Sequence, residues 1–346
     1  MTNIRLPGLA DIHVHLRVPG GEHKEDIRSG TAAALAGGFT TILAMPNTSP
    51  PLTQLSTILA LQQRIQSEAL CDVHLFAGAS PENLSELRDL SAAAAGLKLY
   101  LNQTYGPLRV DNLAVLLRCF QLWPCEKVIA MHAEGSMVAV GLGLAACYNH
   151  PVHFCHVSRK DEIELIALAK SRGLPVTCEV TPHHLFLTDA DAKRLGPLGD
   201  MRPVLASQHD VDALWTHMHT TVDCVATDHA PHTLAEKHGD AQNAPPGVPG
   251  LETALPLMLT AVHEGRLSME RLVDLMHTNP RRIFGLPLQP ETWVDVDPKV
   301  SYTLVNDGLH TKCGWSPFSG FAVTGRINQV CYRGHIVIDQ GCLMNS

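Results

Sequence analysis

The sequence contains no basic tract, no long uninterrupted apolar span and no signal-peptide layout at its N-terminus. The first absence, together with a formal net charge of −8, removes the electrostatic footprint expected of a nucleic-acid-binding protein. The second argues against a membrane span, and the third against secretion. The ten cysteines form no CxxC pair and mostly lie inside apolar runs, such as Cys224 in DCVATD. In a chain of 346 residues without a secretion signal they read as reduced thiols rather than a disulfide framework. A cytoplasmic location is the expectation. There is also no internal repeat and no low-complexity linker. What remains is an ordinary globular composition, 45% apolar and 17% charged. It carries 20 histidines, several of which close apolar segments, and imidazole is the commonest metal ligand.

Short β-rich runs recur along the chain, each followed by a polar or helix-favouring stretch. They are ADIHVHL (10–16), TTILAM (40–45), DVHLFAG (72–78), GLKLYL (96–101), KVIAMHA (127–133), PVHFCHV (151–157), PVTCEV (175–180) and DCVATDHA (223–230). Their starts lie 24 to 48 residues apart, the spacing of successive βα units. Helices are expected between them, including 24–37, 53–67, 110–121, 159–171 and 251–264. In the 159–171 segment Ser158 is the expected cap and Gly173 the expected terminator. Eight such units predict an α/β fold, a closed (β/α)8 barrel. An open doubly wound sheet is the weaker alternative, because no Gly-rich fingerprint follows the first strand. Beyond about residue 288 the pattern changes to alternating segments such as TLVND and INQVCYRGHIVID, separated by Gly-containing turns. The expected division is a catalytic barrel over 8–287 and a small β subdomain built from 1–7 and 288–346.

Active sites of such barrels lie where the strands end. His13 and His15 sit two apart on the first strand and so point to the same side. Lys98 lies in the fourth strand, His132 and His156 near the ends of the fifth and sixth, and Asp228 near the end of the eighth. Any one strand histidine is more often a hydrogen-bonded structural residue than a ligand. Six candidates on five strands at matching height point instead to a metal site. Lys98 is the exception, since an ammonium cannot bind a metal. An apolar run such as LKLYL favours the uncharged amine, which can add carbon dioxide to give a carbamate able to bridge two cations. The alternative is a lysine paired with a nearby acid.

The set HVH (13–15), GLKLYL around Lys98, MHAE, CHVSR and TDHAPH resembles the dihydroorotase branch of the cyclic amidohydrolases. MPNT (45–48), TCEVTPHHLFLT and PPGVPGLET (245–253) narrow the likeness to the branch found in the animal multifunctional pyrimidine-synthesis protein. The resemblance runs from about Leu6 to the last β segment. It implies reversible closure of N-carbamoyl-L-aspartate to L-dihydroorotate at two zinc ions. His13, His15, Lys98 and Asp228 would hold one zinc; carboxylated Lys98, His132 and His156 would hold the other. It further implies substrate contacts from Arg17, Asn47, Arg202 and His232, with Pro246 and Gly247 lining the pocket. Thr104 and Tyr105 would lie in a loop, 102–106, that closes over the substrate. Cys155 and Glu179, with His13 assisting, match a third zinc position. Asp228 would carry the proton between the attacking water and the departing nitrogen. A homodimer, and linkage to carbamoyl phosphate synthetase and aspartate transcarbamylase domains, are implied in the same way. One departure is Val18, where the family commonly has an acidic residue after the substrate-binding arginine. Rival readings are a hydantoinase or allantoinase, which need not bind a ring carboxylate, and an inactive scaffold, which should have lost ligands.

Overall fold

The computed structural model describes residues 3–239 and 244–344. Met1, Thr2, Asn345 and Ser346, which the sequence reading assigns to the β subdomain, lie outside the described residues. Eight parallel strands follow one another in chain order around the core: β2 (Leu9–Val14), β3 (Phe39–Ala44), β4 (Asp72–Gly78), β5 (Gly96–Tyr100), β6 (Ile129–His132), β7 (Val152–Phe154), β8 (Val176–Val180) and β9 (Cys224–Val225). Helices such as Ile27–Ala36, Leu55–Glu68, Leu113–Leu122, Lys160–Ser171 and Leu251–His263 cross between them, so the architecture is a (β/α)8 barrel. A separate antiparallel sheet runs β1 (Ile4–Pro7), β10 (Trp293–Thr303), β11 (Ala322–Tyr332), β12 (His335–Asp339) and β13 (Cys342–Leu343). Among the described residues no helix is long and apolar enough to cross a membrane.

Alternation along each strand sorts the core into two layers. Leu97 and Leu99 of β5 face the helices, packing in one cluster with Ile129, Met131, Ile163 and Leu214. Ala10, Ile12, Leu43, Phe76, Ala130 and Cys224 fill the barrel interior with Phe284 beneath them. Lys98 falls in the inward phase of β5, which is why a lysine flanked by leucines ends up inside the barrel. Between Asp11 and Val14, β2 carries one more residue than its partner span Ile42–Ala44, which makes a bulge. The bulge changes the phase, so that Ile12 packs in the interior while His13 also turns towards the strand ends.

Three sequence expectations are corrected. The eighth strand forms a ladder only over Cys224–Val225, not 223–230, because Asp228 takes a left-handed backbone (φ 45°) that leaves the ladder. Closure onto β2 therefore rests on a single Val14–His229 bridge and on the buried Asp11 carboxylate. That carboxylate accepts hydrogen bonds from the Thr227 N–H at 3.1 Å, the Thr227 hydroxyl at 2.5 Å and the His13 N–H at 3.1 Å. The sixth barrel strand, β7, is likewise shorter than 151–157, since His156 (φ 36°) also bends away. Ser158 does not cap the following helix. The Glu162 carboxylate reaches back to the N–H groups of Ser158, Arg159 and Gly135, at 3.3, 3.1 and 2.7 Å, while Gly173 ends the helix at φ 79° as expected.

Gly37 closes the first crossover helix against the start of Leu251–His263, where an added Cβ would sit 2.1 Å from the Leu251 carbonyl oxygen. Backbone cannot yield there as a flexible side chain would. Gly37→Ala is expected to lower unfolding stability by about 1–3 kcal/mol, measurable by denaturant titration.

Candidate metal centre

The ends of β2, β6, β7, β8 and β9 deliver a cluster of buried imidazoles and carboxylates. Asp228 Oδ1 lies 3.3 Å from His13 Nε2 and 3.1 Å from His15 Nε2. His132 Nδ1 is 2.8 Å from His156 Nε2, and the His13 and His156 rings are 5.2 Å apart. Three of the ligand candidates are each oriented by a further group. Asn47 Oδ1 sits 2.8 Å from His15 Nδ1, Glu134 Oε1 2.9 Å from His132 Nε2, and Glu179 meets His13 Nδ1. Glu179 is shared: His153 Nε2 lies 3.1 Å from its other oxygen, and the His156 N–H donates to it at 3.1 Å. Lys98 is fully buried, with its Nζ 2.8 Å from Cys155 Sγ and 5.2 Å above the Tyr100 ring centre. Among the described residues no carboxylate lies within 4.0 Å of that nitrogen.

The electrostatics are those of a cation site. Burial alone would raise the Asp228 carboxyl, yet His13, His15 and His156 around it hold it well below the usual carboxylate range. Burial and Lys98 would both drive the proton off His13, but Asp228, Glu179 and Cys155 outweigh them and raise it to about 10. A pocket that keeps a positive charge on a fully buried imidazole will favour a metal cation in its place. Burial lowers His15 to about 4 and His132 below its ordinary value, and with His132 beside it His156 falls well below; all three are neutral nitrogen donors near pH 7.

Two sets of ligand atoms lie within 4.8 Å of one another: His13, His15 and Asp228, and His13, Cys155 and Glu179. In addition, His156 Nδ1 is buried without a partner among the described residues. An orphaned ring nitrogen, a buried lysine without a counter-carboxylate and a set of neutral imidazoles fit a metal centre better than a packed polar core. Thus the six ligand candidates all lie in one buried region, with His13, His15 and Asp228 in direct contact, His132 against His156, and Lys98 turned to Cys155.

Above this cluster is a cavity lined by His15, Arg17, Asn47, Thr104, Tyr105, Arg202, Asp228, Ala230, Pro246 and Gly247. Arg17 is buried. Its Nε donates to the Pro231 carbonyl at 3.0 Å, its Nη2 is 2.9 Å from His232 Nε2, and its guanidinium carbon is 5.3 Å from the Tyr105 ring centre. Burial lowers its guanidinium to about 10, which still leaves it charged at neutrality. Asn47 bridges the two levels, since its Nδ2 donates to the Tyr105 carbonyl at 3.0 Å. The loop after β5 thus lies inward, with Tyr105 over Arg17. Arg202 lines the cavity but also pairs with Asp200 and donates to the Met201 carbonyl at 2.8 Å. His232 stands behind Arg17 rather than on the cavity wall. Gly247 (φ 136°) brings backbone to the wall where an added Cβ would meet the Ala230 oxygen at 2.6 Å. Arg17 (φ 61°), His156 and Asp228 all hold left-handed backbone, and such strain in non-glycine residues gathers at functional sites.

Sequence reasoning missed four residues in contact with this site. Asp11 shows one signal, a charge within the apolar run ADIHVHL, and Glu134 follows His132 within MHAE. His153 gives no period-based hint of its bond to Glu179. Lys24, in the polar stretch GGEHKED, is indistinguishable in sequence from a solvated surface charge.

Comparison with known proteins gives a consistent picture. A family profile described as Dihydro-orotase-like matches residues 2–109. The chain is similar to the Multifunctional protein CAD of Squalus acanthias, 49% identical over 98% of this chain, and spans only 15% of that relative's length. It is 35% identical to a Dihydroorotase of Pyrococcus furiosus, covering 97% of this chain and 81% of the relative. Among solved structures, L-Hydantoinase (Dihydropyrimidinase) from Arthrobacter aurescens superposes with a TM-score of 0.94 at 28% identity, covering 99% of this chain and 87% of that one.

Proposed function

The chain belongs to the dihydroorotase family of cyclic amidohydrolases, and from that premise we propose that it interconverts N-carbamoyl-L-aspartate and L-dihydroorotate at a two-zinc centre. His13, His15, Asp228 and carbon-dioxide-modified Lys98 would hold one zinc; the same Lys98, His132 and His156 would hold the other. The observation that carries the reading is vertical order: Arg17 and Asn47 wall a cavity whose floor is the His15–Asp228 pair. When bound, the two cations would polarise the ring amide carbonyl and lower the pKa of water from 15.7 to about 7.

The chain's own groups account for the rest. The Arg17 fork, with two parallel donors, suits the ring carboxylate; Asn47 completes that contact, and His232 backs the fork. Arg202 and the Pro246–Gly247 backbone shape the remaining wall. Thr104 supplies a hydroxyl from the loop, and Tyr105 excludes water above Arg17. Asp228, held as a carboxylate, takes the proton of the attacking water and delivers it to the departing ring nitrogen. In the direction of ring closure it returns that proton to the leaving water.

Several finer assignments belong to the same proposal. A third zinc would sit among Cys155, Glu179 and His13. Residues 8–287 would form the catalytic unit, with 1–7 and 288–346 as its β appendage. Linkage to carbamoyl phosphate synthetase and aspartate transcarbamylase domains, supported by the likeness to a multifunctional relative, belongs to it, as do a homodimer and a cytoplasmic location.

The resemblance to an L-hydantoinase structure supports a second reading, a hydantoinase, whose substrates lack the ring carboxylate. Parallel assays on dihydroorotate, hydantoins and allantoin, with metal counting on the same sample, decide between them. Turnover of hydantoins without turnover of dihydroorotate would replace the first reading by the second. A chain that purifies with little metal and turns over none of these is a scaffold. Arg17→Lys keeps the charge but loses the fork. It is expected to lower kcat/KM for dihydroorotate about a hundredfold, mostly through KM, since each hydrogen bond to a charged group contributes roughly 1.5–3 kcal/mol. An unchanged KM would remove Arg17 from the carboxylate site.

A further inference from the structure

Lys24 has no place in the site as set out above, yet it is buried, only 5% exposed, directly behind the substrate cavity. Its Nζ lies 3.1 Å from the Tyr105 hydroxyl, 3.1 Å from His232 Nδ1 and 3.0 Å from Glu236 Oε1. An ammonium has three N–H donors and no acceptor. All three are used, each on a different element. Tyr105 belongs to the loop that roofs the cavity, and its ring centre is 4.9 Å from the same nitrogen. His232 stands beside Arg17. Glu236 lies on the short helix Leu234–Lys237 and anchors the nitrogen from outside.

The contact with His232 fixes a proton. Because the ammonium can only donate, Nδ1 must accept, and the ring hydrogen is therefore on Nε2. Burial, reinforced by Arg17, Lys24 and Lys237, keeps the ring neutral. Nε2–H donates to the Pro246 carbonyl at 3.1 Å and stands 2.9 Å from Arg17 Nη2, which is also a donor. The one ring hydrogen is therefore turned to the Pro246–Gly247 backbone, and the ring is seated between Lys24 and Arg17.

We propose that Lys24 is a positioning residue for the substrate carboxylate site: it fixes His232, whose Nε2–H is held by Pro246, behind Arg17 and latches Tyr105 over the pair. The identity of the carboxylate rests on the dihydroorotase reading; the latch does not. One residue thereby ties the roof loop to the ring that backs Arg17, so both are set before substrate arrives.

Amide hydrogen exchange of substrate-free protein tests the latch, on wild type, Lys24→Met, Tyr105→Phe and the double variant. Methionine keeps the buried stem and removes the three donors. Losing one charged hydrogen bond on the loop should let residues 103–107 exchange about tenfold faster in Lys24→Met. Exchange in the barrel strands should stay unchanged. Adding Lys24→Met to Tyr105→Phe should then change little, because the shared contact is already gone. Nitrogen-15 shifts of the His232 ring should show the single Nε2–H tautomer in wild type and a mixture in Lys24→Met. In steady-state assays kcat/KM for dihydroorotate should fall about tenfold, carried by KM. Equal exchange of 103–107 in wild type and Lys24→Met, or full additivity with Tyr105→Phe, would overturn the latch. If Lys24→Met fails to fold, Glu236→Gln, which removes the outer anchor, carries the same exchange comparison. A wild-type protein with no dihydroorotate turnover would sink the functional reading alone, leaving the exchange data to judge Lys24.

Discussion

Asp228→Asn is expected to keep most of the metal and its fold while losing about 10²–10⁴-fold in kcat, the range a positioned proton carrier contributes. The expectation separates two jobs of one side chain. As a ligand candidate, Asp228 offers an oxygen to the space shared with His13 and His15, 3.3 and 3.1 Å away. Asparagine still presents an oxygen there. As a proton carrier, Asp228 must be a carboxylate, and its imidazole neighbours hold it so despite its burial. An amide cannot take that proton. The backbone is no obstacle, since Asp228 sits at φ 45° and asparagine tolerates left-handed conformation as readily as aspartate does. The measurements are kcat in both directions, elemental metal content and thermal unfolding on one preparation. A variant turning over like the wild type would assign proton transfer to another group. A variant that loses its metal in step with its rate would make Asp228 a ligand and nothing more.

Lys98→Ala carries the second large effect, on metal retention as well as rate. The side chain is fully buried and inward-facing on β5, with Cys155 Sγ at 2.8 Å and no carboxylate within 4.0 Å among the described residues. A buried charge left unpaired is costly, whereas an amine converted to a carbamate becomes an anion among ligands that favour cations. Alanine removes the bridge and opens space for a small carboxylic acid. Metal affinity should drop by more than the ~10–100-fold that loss of an outer-shell partner costs, and turnover with it. Acetate or propionate should restore part of both in a saturable manner, because a free carboxylate can occupy the vacated position. Full metal content and full rate without added acid would end the carbamate assignment and leave Lys98 as a structural lysine.

How much of this was legible beforehand differs from element to element. The barrel was visible because its inner and outer layers impose a period on the sequence: eight β-rich runs, each leading into a helical stretch. DVHLFAG matches β4 at both ends. DCVATDHA does not match β9, because the residues that end that strand bend away to serve the site. The same holds for PVHFCHV and β7, where His156 turns out of the ladder. Strand length was also overread in KVIAMHA, which pairs only over Ile129–His132, and in ADIHVHL, which ends at Val14 before His15; all four strands end in candidate chemistry, where backbone geometry answers to the site rather than to pairing. The bulge in β2 was invisible for a related reason. The HVH spacing says that two imidazoles share a side, but not that an inserted residue must rotate them away from the phase set by Ala10 and Ile12.

By itself, then, the sequence determined the repeating βα architecture, the family and the residue types available at the strand ends, because all three are written in local patterns of apolar spacing and short motifs. Only the tertiary structure decided which groups orient those residues. Asp11 fastens Thr227 across the closing seam, 216 positions away in the chain. Glu179 is divided among His13, His153 and His156, and Lys24 reaches Tyr105, His232 and Glu236 with one nitrogen. Such contacts join residues with no periodic relation to one another. A charge in a polar loop looks the same in sequence whether it faces water or, as Lys24 does, the back of the cavity; burial by distant parts of the chain is what gives it a role.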